Sequence, residues 1–209
     1  MLKPNKQQEE KETGRIEAFS DGVFAVAITL LVLDIKVPHA SDLGPTTTLA
    51  HALLQEWPQF LAYVTSFATI LIMWMNHHKL FNQIRRTDHW FLLWNGLLLL
   101  WVTLVPFPTA LVAEFIHRKD ASFAAAIYSG TFILISIFFN LVWRYAAHNN
   151  RLLKADKDDR FIRITNRQYV FGPIIYLIAF ALAFVNVTAS VTACMLLAVF
   201  FALPIAPDR

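Results

Sequence analysis

The chain has 209 residues, 56% of them hydrophobic and only 16% charged, with a mean hydropathy of +0.48. That balance excludes an ordinary water-soluble domain, whose apolar share is roughly 45 to 50%, and long apolar runs separated by charged segments are the pattern of a polytopic membrane protein. The net charge of +3 is accounted for by basic loops, so no nucleic-acid partner is expected, and the single cysteine, Cys194, excludes an intrachain disulfide.

Residues 1–15 form a polar tail, either disordered or a helical extension of the first span. The first apolar segment, 16–37, would rise about 33 Å as a helix, which crosses the hydrocarbon core and exceeds the apolar stretch of a cleavable signal. Pro38 ends it, and a polar stretch leads to a second segment at 57–76, with Pro58 in its first turn. The third, 90–113, carries Pro106 and Pro108, which should kink or break its distal part. The fourth spans 122–143, and the fifth and sixth, 169–187 and 188–205, meet with almost no loop and read as a tight hairpin before a short tail at 206–209. The expectation is an all-α fold with six transmembrane helices in one membrane domain over 16–205.

Positive loops stay on the cytoplasmic side. With the N-terminus inside, 15 of the 18 Lys and Arg residues fall on inner segments and only Lys36, Arg118 and Lys119 lie outside. Both termini are therefore placed in the cytoplasm, which requires an even number of spans. Asn186-Val187-Thr188 fits the glycosylation pattern but sits too close to the bilayer to serve.

Several polar residues then fall at a similar depth near the cytoplasmic face: Ser20, Asp21, Asn76, His77, His78, Asn95 and Asn140. Buried without partners they would cost several kcal/mol each, as a rough transfer estimate, so they are expected to bond to one another in a belt, with Asp21 accepting from His77 or Arg15. Spacing alone equally allows Ser20 and Asp21 to cap a helix N-terminus. His77 and His78 are adjacent and point about 100° apart on a helix, with no Cys or Glu at ligand spacing, so no metal site is expected. No HExxH or Gly-x-Ser-x-Gly pattern occurs, and neither an enzyme nor a bound cofactor is expected.

On the first segment Gly22, Val26, Thr29, Leu30 and Leu33 share one stripe about 100° wide. In a single helix such a stripe means packing. The segment Arg15-Ile-Glu-Ala-Phe19-Ser20-Asp21-Gly22 resembles, however, the signature of the endolysosomal and bacterial potassium-channel family, transmembrane protein 175, in which Arg-x-x-x-Phe-Ser-Asp heads the first span. The resemblance continues through Trp74, His77 and Phe81, then Asn95 and Pro106-Phe107-Pro108-Thr109, and with a single signature the chain is similar to the bacterial members.

The resemblance implies a potassium-permeable, leak-type channel in the cell membrane, a homotetramer in the lipid bilayer whose central pore is lined by the first helix of each subunit. Carried over by position, Val26, Leu30 and Leu33 form the constricting aliphatic rings and Thr29 the layer that discriminates among ions. Val26 is smaller than the isoleucine or leucine expected there, so the tightest ring is either wider or moved to Leu30. Arg15, Phe19, Ser20, Asp21, His77 and Asn95 would hold the first helix against the second and third by hydrogen bonds. The sequence lacks a Thr-Val-Gly-Tyr-Gly carbonyl filter, so selectivity would rest on a hydrophobic constriction with modest discrimination. The competing reading is a secondary transporter in which Asp21 and His77 carry a proton, although such proteins usually show broken helices at the substrate site.

Overall fold

The computed structural model describes residues 6–39, 48–155 and 159–202. Among them the chain is helical: α1 (Lys6–Leu30), α2 (Leu49–Gln55), α3 (Trp57–Phe81), α4 (His89–Thr103), α5 (Pro106–Phe115), α6 (Ala121–Ala147), α7 (Asp159–Leu182) and α8 (Val187–Ala202). Four stretches are long and apolar enough to cross a membrane, namely Glu12–Leu33, Trp57–Phe81, His89–Phe115 and Ala121–Asn150, and α8 is a shorter apolar helix.

α1 already runs from Lys6, so of the two readings of the polar tail the helical extension describes residues 6–15. Ser20 and Asp21 consequently sit deep inside the helix and are not caps. The helix tightens into a 3-10 turn over Leu31–Asp34 and becomes extended at Ile35, short of the 16–37 span read from hydropathy, because β-branched Ile35 and Val37 favour extended backbone and Pro38 disfavours helix in the residue before it. The short α2, capped by Thr48 through the His51 amide at 3.3 Å, was not expected from hydropathy. The end of the sixth segment and the C-terminal tail, 203–209, lie outside the described residues.

The prolines act as their chemistry requires. Pro106 and Pro108 leave the carbonyls of Val102 and Leu104 without their usual donors. Val105 N bonds Val102 O at 3.1 Å and Phe107 N bonds Leu104 O at 3.1 Å, tighter turns that satisfy both oxygens and divide the third segment into α4 and α5. Pro173 lies inside α7 and removes the donor for Tyr169 O, and the side-chain amide of Asn140 on α6 donates to that oxygen instead. Asn140 is therefore committed to α7 and does not join the expected belt.

α6 is the central post, packed against α4, α5, α7 and α8. Its first turns, with Ala121, Ala124, Ala125, Ala126, Ser129 and Gly130, let neighbours approach closely: Ala183 is fully buried against them, and a Cβ on Gly130 would touch the Phe180 ring at 3.7 Å. Further along the helix Phe132, Phe139 and Trp143 supply bulk, all buried. The hairpin between α7 and α8 is fastened by Ser190 Oγ donating to Ala179 O at 2.6 Å and by Asn186, whose side chain accepts from Ala189 N at 3.0 Å.

At the end of the bundle that carries the start of α1, two connections clasp each other. Asn149 and Asn150 adopt left-handed backbone (φ 54 at each), a conformation asparagine tolerates, and turn the chain back after α6. Residues 151–154 then lie along 83–86, with Arg85 N bonding Leu152 O at 2.9 Å and Lys154 N bonding Gln83 O at 3.0 Å. Asp88 joins the pieces: it caps α4 through Phe91 N at 3.0 Å, accepts from Tyr145 Oη at 2.8 Å and pairs with Arg151 at 3.2 Å.

Candidate functional site

α1 has two faces of opposite character. Thr13, Ser20, Phe24, Ala27 and Leu31 are buried, facing α3 and α4. On the other side Phe19, Val26, Leu30 and Leu33 are 66%, 55%, 53% and 74% exposed, and Gly22 and Thr29 are exposed among them. These positions recur at steps of three and four, so they form one continuous stripe that no described residue of the chain covers. A Cβ placed on Gly22 would meet none of the described residues within 4 Å, so their packing does not demand a glycine there. The Thr29 hydroxyl donates back to its own helix, at 2.9 Å from Ala25 O and 3.1 Å from Val26 O. With its hydrogen thus turned inward, its oxygen lone pairs are left for the exposed side.

Behind this stripe runs a polar chain of single direction. Ser20 Oγ donates to Ile16 O at 2.9 Å, and Asn95 Nδ2 donates to Ser20 Oγ at 2.9 Å. Asn95 Oδ1 lies 2.8 Å from His77 Nε2 and can only accept, so Nε2 carries the hydrogen of the imidazole. His77 is fully buried, its ring stacked on Phe81 at 4.5 Å and tilted against Phe24 at 5.3 Å, and Nδ1 has no hydrogen-bond partner among the described residues. Three helices, α1, α3 and α4, are pinned at one depth by this chain.

A second set of contacts runs up the flank between α1 and α3. Asp21 accepts from Trp74 Nε1 at 2.8 Å, in place of the expected His77 or Arg15. One turn towards the N-terminus, Glu17 pairs with His78 at 3.1 Å, and His78 stacks on Trp74 at 5.9 Å. Lower still, Thr13 Oγ1 donates to Arg85 O at 2.9 Å and ties α1 to the clasp. Glu17 and Asp21 are four residues apart, as are Trp74 and His78, the spacing at which two antiparallel helices match side chains. That double spacing was the available sequence signal for the Trp74 and Glu17 partnerships.

The expected group of motif residues therefore divides. Ser20, His77 and Asn95 form the buried chain and Asp21 the flank, whereas Phe19 points outward in the exposed stripe and Arg15 is exposed. Asn76 departs from the belt and lines a mainly apolar cavity of about 60 Å³ with Met73, Phe132, Ser136 and Tyr176. The two adjacent histidines face different partners, Asn95 and Glu17, which precludes joint chelation.

Residues 15–106 match the family model described as endosomal/lysosomal potassium channel TMEM175. A protein of Chamaesiphon minutus named as a potassium channel is 54% identical over 93% of this chain and 96% of its own length. One of Streptomyces collinus, named likewise, is 42% identical over 91% of both. The crystal structure of a lysosomal potassium-selective channel TMEM175 homolog from Chamaesiphon minutus superposes with a TM-score of 0.82 at 52% identity, covering 92% of this chain and 97% of that one. With this identity spread over almost the whole chain, and with the Arg15 to Asp21 signature at the head of a membrane-spanning helix, the chain is a membrane protein of the TMEM175 channel family.

Proposed function

We propose that the chain is the subunit of a potassium-permeable channel, a symmetric homotetramer in which four copies of α1 surround a central pore. The observation that carries this reading is the uncovered stripe of Phe19, Gly22, Val26, Thr29, Leu30 and Leu33 on a helix whose opposite face is locked into the protomer. Closed rotational symmetry brings identical stripes to one axis. The names of the relatives supply the ion. In this arrangement Val26, Leu30 and Leu33 form aliphatic rings that exclude water when closed, and the outward lone pairs of Thr29 replace part of the hydration shell of a passing cation. The proposed subunit spans six times, with α7 and α8 as the last two spans, both termini in the cytoplasm and the whole assembly in the cell membrane, in keeping with the distribution of Lys and Arg.

Purified protein in liposomes, tested for potassium against sodium flux, checks the reading. Leu30→Asn should raise the flux, and Thr29→Val should shift the reversal potential towards loss of potassium preference. A correctly sized tetramer that passes no potassium, or a flux unchanged by Leu30→Asn, would overturn it; a saturable flux driven by a proton gradient would favour a transporter.

A further inference from the structure

Between the inner ends of α6 and α7 lies a shallow depression of about 420 Å³ lined by Arg144, Ala147, His148, Asn166 and Val170. Its chemistry changes with depth. The outer rim is cationic: Arg144 on α6 and His148 just after it are exposed, and Arg163 and Arg167 are exposed on α7, one on each side of Asn166. Trp143 Nε1 donates to Asn166 Oδ1 at 2.6 Å, which fixes the amide so that its nitrogen is the group turned away to donate. The carboxylate of Asp159 begins α7 about 10 Å further along the axis, seven residues from Asn166.

Towards the bilayer interior the surface that continues from the depression is apolar. On α7 Val170, Ile174, Leu177 and Ile178 are exposed, continuing the line of Arg163 and Asn166, and on α6 Leu141 and Ile137 continue the line of Arg144 and His148. From Val170 to Ile178 this exposed apolar row extends about 12 Å. The topology rule explains why arginines stand on this side of the membrane. It does not explain a depression, an oriented amide and an exposed apolar row in continuous register beneath them.

We propose that this groove binds an anionic phospholipid of the cytoplasmic leaflet. Its phosphate is held by Arg144, Arg163 and the Asn166 amide, and an acyl chain lies along Val170 and Ile174. Charge complementarity selects the head group, and the exposed apolar row on α7 selects an amphiphile over a soluble anion. The placement in the inner leaflet rests on the orientation proposed above.

The test is retention of phosphatidylglycerol against phosphatidylcholine by the purified assembly, read by native mass spectrometry, with inorganic phosphate as a soluble competitor. Wild type should retain phosphatidylglycerol preferentially. Arg144→Gln and Arg163→Gln should each weaken that retention about fivefold, as expected for one basic residue at a membrane surface. Because Arg163 is exposed on α7, its replacement keeps the test available if Arg144→Gln fails to fold. Arg118→Gln, at the opposite end of the molecule, should leave it unchanged. Equal retention of the two lipids, insensitivity to both inner substitutions, or displacement by inorganic phosphate would each overturn the proposal. Potassium flux recorded in liposomes containing phosphatidylglycerol separates the two readings, since its absence with that lipid present would count against the channel and not against the lipid site.

Discussion

Replacing Asn95 by leucine tests how the first helix is held. Asn95 is buried and makes two inter-helix bonds, to Ser20 at 2.9 Å and to His77 at 2.8 Å. Ser20 loses little, because its hydroxyl still donates to Ile16 O. His77 loses its only hydrogen-bond partner among the described residues, and an orphaned buried donor costs about 1–3 kcal/mol. Inter-helix bonds in bilayers run at about 0.6 kcal/mol each and reach about 1.7, so the two bonds together give the same range, and a loss of about 2 kcal/mol is expected for Asn95→Leu. The second half of the cycle distinguishes a polar network from simple packing. His77→Phe fills the slot between Phe24 and Phe81 with another ring and removes the donor that Asn95→Leu would strand. The double variant should therefore be more stable than Asn95→Leu alone, with a coupling of about 1–2 kcal/mol in detergent-titrated unfolding followed by tryptophan fluorescence. Additivity within about 0.5 kcal/mol would refute the reasoning, because independent sites add to that accuracy.

Asn140→Leu should destabilise the protein by about 1–3 kcal/mol by orphaning Tyr169 O, and much less in a Pro173→Ala background, where the helix regains its own donor; equal losses in both backgrounds would deny the compensation. Trp74→Phe keeps the aromatic contact with His78 but removes the bond to Asp21, so a loss of about 1.5–3 kcal/mol is expected, measured as a lower melting temperature of the purified assembly. Asp88→Ala removes the α4 cap and the contacts to Tyr145 and Arg151, and should cost about 1 kcal/mol for the cap alone while speeding hydrogen exchange at the amides of Arg85 and Lys154. Unaltered exchange at those amides would show that the clasp stands without Asp88.

The apolar runs, the proline break in the third segment and the tight turn before α8 were all legible in the chain, because each follows from local chemistry: residue hydropathy, the missing N–H of proline, and the short polar link at Asn186. The polar belt was only partly legible. Depth along a helix can be read from residue number, so Ser20, His77 and Asn95 were placed together, but azimuth relative to other helices cannot, so Asn76 and Asn140 were grouped with them although they face α6, α7 and α8. The same limit applied to Asp21, whose donor turned out to be Trp74 on the flank of α3.

What this sequence determined by itself was its solvent and its signature: a chain this apolar belongs in lipid, and Arg15 through Asp21 marks the head of its first span. Tertiary structure decided which face of that span is free. The stripe of Val26, Leu30 and Leu33 and the buried row of Phe24, Ala27 and Leu31 are both greasy, so hydropathy cannot rank them. Packing against α3 and α4 buries one row through the Ser20 to His77 chain and leaves the other for whatever meets it from outside, since a helix pinned at one azimuth has only its far side to offer.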